Sequence, residues 1–202
     1  MTDLFADKAA DWDTRPIPAQ ISEGVARALD ATVPLKPTDT VMDFGAGTGL
    51  LCGHVAPRVQ RVVAVDVSQA MLDQLAAKPD LTDRVDTVCQ DITQEPLDAT
   101  FDIVVSAMAM HHVEDTDHLL ATLRDHLAPG GHVAIADLDT EPGTFHPPGM
   151  DGVFHHGFDR DALTAKAEAA GFTDVTFTTA CTVDREDERR YPVFLMTARR
   201  AD

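Results

Sequence analysis

Between residues 40 and 140 short apolar runs alternate with longer segments whose apolar residues recur at helical spacing. The apolar runs predict strands at Thr40–Phe44, Arg61–Asp66 and residues 85–90, 102–106 and 132–137. Helices are predicted at residues 49–56, Gln69–Ala76 and residues 116–127. In the last of these Leu119, Leu120, Leu123 and Leu127 share one face, and Ala128-Pro129-Gly130-Gly131 stops it. Strands that alternate with helices form a parallel sheet covered on both faces. Further on, Asp159 can cap a helix through Ala162, Leu163 and Ala170 that ends at Gly171. Two more strand-like runs follow, at residues 173–181 and 193–197, separated by a charged stretch at 184–190. That stretch is too short for a crossover helix, so the pair should be an antiparallel hairpin at one sheet edge. The expected class is α/β: a doubly wound, mostly parallel seven-stranded sheet closed by an antiparallel C-terminal hairpin.

Two segments fall outside this alternation. Residues 1–38 should hold one helix, from about residue 19 to 31, behind a loose arm. Residues 139–158 are rich in Pro, Gly and His and follow the fifth strand at its carboxyl end. Ligands of open α/β sheets bind outside those ends, so both segments are candidates for a lid and an acceptor pocket.

Composition narrows the partners. The 202 residues suit one domain with a sizeable core. Sixteen basic against 34 acidic residues give a formal net charge of -18, which repels nucleic acid and anionic membrane surfaces. The acid is mostly Asp; adaptation to high salt and a GC-rich genome both account for that. No run of about 18 apolar residues predicts a membrane span, and the first residues do not read as a signal peptide. Cys52, Cys89 and Cys181 are odd in number and far apart, as expected of free thiols in a reducing cytoplasm.

The candidate chemistry starts at Val41-Met42-Asp43-Phe44-Gly45-Ala46-Gly47-Thr48-Gly49-Leu50-Leu51. It reads as a strand, a bend with three glycines, and a helix start. Glycine lets a ligand press against the main chain. The helix start offers free N–H groups and a positive dipole end. The spacing G-x-G-x-G differs from the dinucleotide spacing G-x-G-x-x-G. Asp66 ends the second strand, 21 residues beyond Gly45, where a carboxylate can accept from two vicinal ribose hydroxyls.

With Asp43 before the bend, Asp91-Ile92 after the third strand and the closing hairpin, this order resembles the class I S-adenosylmethionine-dependent methyltransferases, of the small-molecule type. The resemblance covers roughly residues 38–138. It implies a Rossmann-like fold and S-adenosylmethionine as methyl donor, with S-adenosylhomocysteine as product. It also implies a cofactor site from Trp12, Asp43, Gly45, Ala46, Gly47, Thr48, Gly49, Asp66, Val67, Met71, Asp91, Ile92, Ser106, Ala107 and His111. In that pattern Asp91 accepts from the adenine amino group and Ile92 packs on the ring. Asp43 favours the ammonium, directly or through water. Trp12 could shield the sulfonium by a cation–π contact or simply pack against the first helix. Arg15 could meet an acidic acceptor or the cofactor carboxylate.

His111 and His112 follow the fourth strand, near where the methyl group should lie, and His146, His155 and His156 lie in the insertion. His111 and His146 are the candidate catalytic residues, as a base for an acceptor that must lose a proton. Packing or loop anchoring is the alternative for His111. No metal is expected, because adjacent histidines should diverge and no compact ligand spacing such as H-E-x-x-H occurs. The acceptor should be a small molecule, and the chain a monomer or homodimer. Two other readings stay open: an NAD-dependent oxidoreductase, and a non-catalytic domain that binds S-adenosylmethionine.

Overall fold

The computed structural model describes residues 3–185 and 188–201. Residues 1 and 2 of the amino-terminal reading, 186 and 187 of the expected turn, and residue 202 lie outside the described residues. The elements run α1 (Pro16–Thr32), β1 (Thr40–Phe44), α2 (Leu50–Val55), β2 (Arg61–Asp66), α3 (Gln69–Ala76), β3 (Val85–Cys89) and β4 (Phe101–Ala107). They continue with α4 (Thr116–Asp125), β5 (Leu127–Leu138), α5 (Arg160–Ala169), β6 (Phe172–Asp184) and β7 (Arg190–Arg200). Short 3₁₀ turns cover Ala6–Thr14, Ala56–Arg58 and Met110–His112.

The seven strands form one sheet in the order β3-β2-β1-β4-β5-β7-β6. The first five are parallel, and β7 inserts antiparallel between β5 and β6. The α/β class and the closing hairpin are as expected. Parallel strands covered on both faces are apolar on both. Accordingly Val41, Ile103, Val105, Ala134 and Ala136 pack with Ile21, Val25 and Leu29 of α1 and with α2. Met42, Val104, Val133 and Ile135 pack on the other face with Leu119, Leu120 and Leu123 of α4 and Leu163 of α5. Each of the three α4 leucines is fully buried, which contributes roughly 1.5–3 kcal/mol apiece.

The amino-terminal helix is longer than the apolar spacing predicts. Pro16 starts it, at a position where the missing N–H would be unsatisfied anyway. Its Gly24 lies close on β6, where a Cβ would come within 2.7 Å of Cys181 Cβ. The arm before it is a 3₁₀ segment rather than loose chain.

Leu127 is a correction. It does not close the apolar face of α4; it begins β5 and pairs with Phe101 of β4. The helix stops at Asp125 because the His126 ring turns back, with Nδ1 2.7 Å from the Thr122 carbonyl oxygen. Pro129-Gly130-Gly131 then falls inside a strand whose register shifts between Phe101 and Ile103. An apolar residue at a helix–strand junction fits either period, so spacing alone cannot assign it. β6 and β7 also run further toward each other than expected. Asp184 pairs with Arg190 and ties to it through Arg190 Nε at 2.9 Å.

The parallel register brings the carboxyl ends of β1, β2, β3, β4 and β5 to one rim of the sheet. Phe44 lies beside Val65 and Ser106, Asp66 beside Cys89, and Ala107 beside Ala136.

Candidate active site

The left part of the rim is the glycine bend. Gly45, Gly47 and Gly49 have φ of 68°, 54° and 79°, the left-handed region that favours glycine. At Gly45 the requirement is doubled, since a Cβ would fall 2.3 Å from that of Ala109. At Gly47 nothing lies within 4 Å of where a Cβ would stand, so the main chain there can receive a ligand. Gly49 precedes α2, and Ala46 is buried beneath the bend.

Asp66 grips the bend from β2. Its carboxylate accepts from Gly47 N at 2.7 Å and from Ser68 N at 2.8 Å. Burial raises its pKa despite those bonds. Asp43 lies under the bend, 1% exposed, and accepts from the Cys52 thiol at 3.1 Å. Burial pushes its carboxyl up to about 7, and burial together with the Asp43 charge raises the Cys52 thiol. Asp91 caps its own turn, accepting from Thr93 N at 3.0 Å and Thr93 Oγ1 at 2.6 Å.

Other candidates have different surroundings. Ile92 is fully buried in the core beside Met42 and Val65 rather than forming an open wall. Met71 is buried, while Val67 stands 55% exposed at the lip. Ser106 donates to the Phe44 carbonyl at 2.9 Å, and Ala107 beside it is half-buried. Trp12 meets the Phe5 ring edge, and Arg15 lies 5.3 Å over its ring. Arg15 pairs with Asp11 at 2.8 Å, so its charge is already matched within the arm.

The arm itself folds onto the bend. Thr48 Oγ1 donates to Asp13 Oδ1 at 2.5 Å, Lys78 Nζ lies 2.6 Å from Asp13 Oδ2, and Ser68 Oγ donates to Asp3 Oδ2 at 2.8 Å. Asp3 and Asp13 thus tie the arm to the bend and to α3, a role that nothing in the local pattern of residues 1–15 signals.

The right part of the rim is made of histidines. β4 ends at Ala107; Met108, a non-glycine residue with φ of 60°, follows it before the 3₁₀ turn Met110–His112. His111 is 1% exposed, with Nδ1 2.8 Å from Asp137 Oδ1 at the end of β5. Asp137 also accepts from His111 N at 3.1 Å and from Leu138 N at 2.8 Å. On its other side, His111 Nε2 lies 3.0 Å from His146 Nε2. His112 turns Nδ1 to the Gly152 carbonyl at 2.6 Å. Desolvation and the neighbouring His111 lower the pKa values of His112 and His146 to about 4.

The expectation that adjacent histidines diverge is therefore overturned. The tight turn sets the His111 and His112 rings 4.1 Å apart, and His146 closes against both, at 4.9 and 5.8 Å between ring centres. His155 is not part of this triangle; its ring anchors to the Val113 and Glu114 carbonyls. His156 is exposed and faces Glu141 at 3.7 Å. Asp137, the partner that orients His111, was legible as the acid ending an apolar run, Val133-Ala134-Ile135-Ala136-Asp137.

The insertion is tied to the rim by main-chain hydrogen bonds. Phe154 N and His155 N both donate to the His111 carbonyl, and Phe158 N donates to the Leu138 carbonyl. Phe145 packs on Tyr191, and Thr144 Oγ1 lies 2.8 Å from the Tyr191 hydroxyl. The segment borders a partly open cavity of about 260 Å³ lined by His146, Pro147, Met150, Val153 and His156, among others. A second cavity, about 270 Å³, opens at the opposite rim beside Asp39, Asp102 and Arg199, far from this chemistry.

A sheet of this order, with a glycine bend after β1 and acids at the tips of β1, β2 and β3, defines a Rossmann-like methyltransferase domain. Residues 41–131 match the family model described as methyltransferase domain. The chain belongs to the class I S-adenosylmethionine-dependent methyltransferases. It is 34% identical over 134 residues to an uncharacterised methyltransferase of Schizosaccharomyces pombe, covering 58% of this chain and 47% of that one. Against a trans-aconitate 2-methyltransferase of Deinococcus radiodurans it is 33% identical over 152 residues, covering 73% and 53%. The chain thus spans about half the length of these curated relatives. A chain in the complex between the Haloferax volcanii Trm112 methyltransferase activator and a methyltransferase has the same fold. It superposes with a TM-score of 0.81 at 19% identity, covering 100% of both chains.

Proposed function

We propose that the chain transfers a methyl group from S-adenosylmethionine to a small-molecule acceptor held beside the histidines. One observation carries the reading: a single rim of the sheet joins a bend with open space over Gly47 to a buried His111–Asp137 pair. The donor set fits the cofactor. Asp66 faces the bend with a carboxylate that can turn to vicinal hydroxyls, the bend and the start of α2 offer N–H groups, and buried Asp43 suits an ammonium. S-adenosylmethionine supplies an electrophilic methyl on a sulfonium. A chain of net charge -18 favours such a cation.

On the acceptor side, Asp137 holds the proton on His111 Nδ1, so His111 Nε2 accepts from His146 Nε2 and a proton taken up at His146 can pass on to His111. His146 stands between His111 and the cavity of the insertion, so an acceptor O–H, N–H or S–H entering there meets an imidazole. Beyond that, positioning does the work: holding the acceptor within about 3–3.5 Å of the methyl carbon removes much of the barrier. The related trans-aconitate enzyme supports a small acceptor.

The test is incubation of the chain with isotopically methyl-labelled S-adenosylmethionine and a metabolite pool, read by mass spectrometry. A labelled small molecule is expected. Binding of S-adenosylhomocysteine with no labelled product from broad pools would favour a binding domain. A thermal shift with NAD alone would favour the oxidoreductase.

A further inference from the structure

We infer that His111, His112 and His146 form a binding site for one divalent transition-metal ion, of the zinc type, with a coordination position open toward the insertion cavity. The site deepens the methyltransferase reading: with the ion bound, the histidine nitrogens are ligands and the ion takes over from them as the group that activates the acceptor, but the existence of the site does not depend on that reading.

The ring nitrogens of the three side chains that could ligate an ion all lie within 4.8 Å of one another. For His111 and His112, hydrogen bonds fix which atoms carry lone pairs. The Gly152 carbonyl can only accept, so His112 Nδ1 holds the proton and Nε2 is a free donor atom. Asp137 likewise accepts from His111 Nδ1, so His111 Nε2 carries the lone pair and accepts from His146 Nε2 in the metal-free chain; an ion seats when His146 holds its proton on Nδ1 instead. His111 Nε2 and His146 Nε2 stand 3.0 Å apart. Two imidazoles bound to tetrahedral zinc at about 2.0–2.1 Å place their nitrogens roughly 3.3 Å apart. A small opening of this pair, with His112 drawn inward, seats the ion.

The surroundings are those of a built site. Metal-bound histidines pass their other N–H to a carboxylate or a carbonyl, which sets the ring and raises its basicity. Here Asp137 does so for His111, and Gly152 for His112. The His111 main chain is clamped from both sides, its N–H on Asp137 Oδ2 and its carbonyl under Phe154 N and His155 N. Three histidines with a fourth position open are the ligand set of a catalytic rather than a structural ion. Imidazole suits zinc, copper, iron and nickel rather than magnesium or calcium. His146 also lines the cavity of about 260 Å³, which puts space for an acceptor group beside the cluster. A hydroxyl or thiol bound there gives its proton to solvent water and stays on the ion as its conjugate base, ready to attack.

The experiment uses the full chain, free of any affinity tag and treated with chelator. Cobalt(II) chloride is titrated in and followed by visible d–d absorption, and zinc chloride by calorimetry. One equivalent should bind, with tetrahedral-type cobalt bands that zinc abolishes. His146→Ala should weaken binding by at least the roughly 10- to 100-fold that outer-shell changes alone produce, and His112→Ala should do the same. Both variants should still bind S-adenosylhomocysteine, which shows that they fold and separates this site from the cofactor reading. No binding to the native chain, or equal binding by the native chain and both variants, overturns the site.

Discussion

The two halves of the rim are built on different principles. The cofactor half is built on regular elements: bend, strand tip and helix start sit within a few residues, and the next strand of the sheet brings the Asp66 carboxylate to Gly47 N across 19 residues and to Ser68 N across two. The histidine half is assembled from afar, with His111 meeting Asp137 and His146 across 26 and 35 residues of chain. In the proposed function the first half holds the donor and the second meets the acceptor, and only the second depends on the path of the insertion.

Breaking one half should spare the other. The largest effect is expected from His146→Ala, which should lower methyl transfer to the acceptor found by screening by about 10²- to 10⁴-fold. Steady-state kinetics and calorimetry together check this, since affinity for S-adenosylhomocysteine should hold. A parallel fall in cofactor affinity would erase the division. Asp66→Ala reverses the pattern: about 10- to 100-fold weaker cofactor binding, from losing charge-assisted bonds of roughly 1.5–3 kcal/mol.

Asp43 sharpens the comparison through pH. Its carboxyl sits at about 7 in the folded chain because it is buried. The sign follows from linkage: the folded state holds a proton that the unfolded chain has released. Stability from this group is therefore full below the ordinary carboxyl range and is lost as pH rises to about 7. An ammonium ligand needs the ionised form, so S-adenosylmethionine affinity should fall as pH drops below about 7, approaching tenfold per unit. In Asp43→Asn that slope should vanish from a calorimetric pH series; an unchanged slope would remove Asp43 from the cofactor's partners. Smallest is Asp13→Ala, which frees the arm from Thr48 and Lys78. It should speed cofactor release by ~2- to 5-fold, the scale of a part-exposed ion pair, in stopped-flow measurements of Trp12 fluorescence.

Legibility in the sequence follows the same division. The strand tips, the bend and Asp66 could be read because each rests on the short-range geometry of one β–loop–α unit. Leu127 was misassigned because a buried leucine satisfies helix and strand alike. His111 and His146 could be named as candidates, but their meeting could not, since residues 139–158 contain no helix or strand whose period would fix a direction. Nor could the closeness of His111 and His112, which a 3₁₀ turn creates. Ile92 matched a motif position, yet the core around Met42 and Val65 takes its side chain.

The most direct test of the central claim is a calorimetric titration of S-adenosylhomocysteine into the native chain and into Asp66→Ala. The account predicts one site per native chain and about 10- to 100-fold weaker binding in the variant. Equal affinities, or a native chain that binds NAD and ignores S-adenosylhomocysteine, would contradict it.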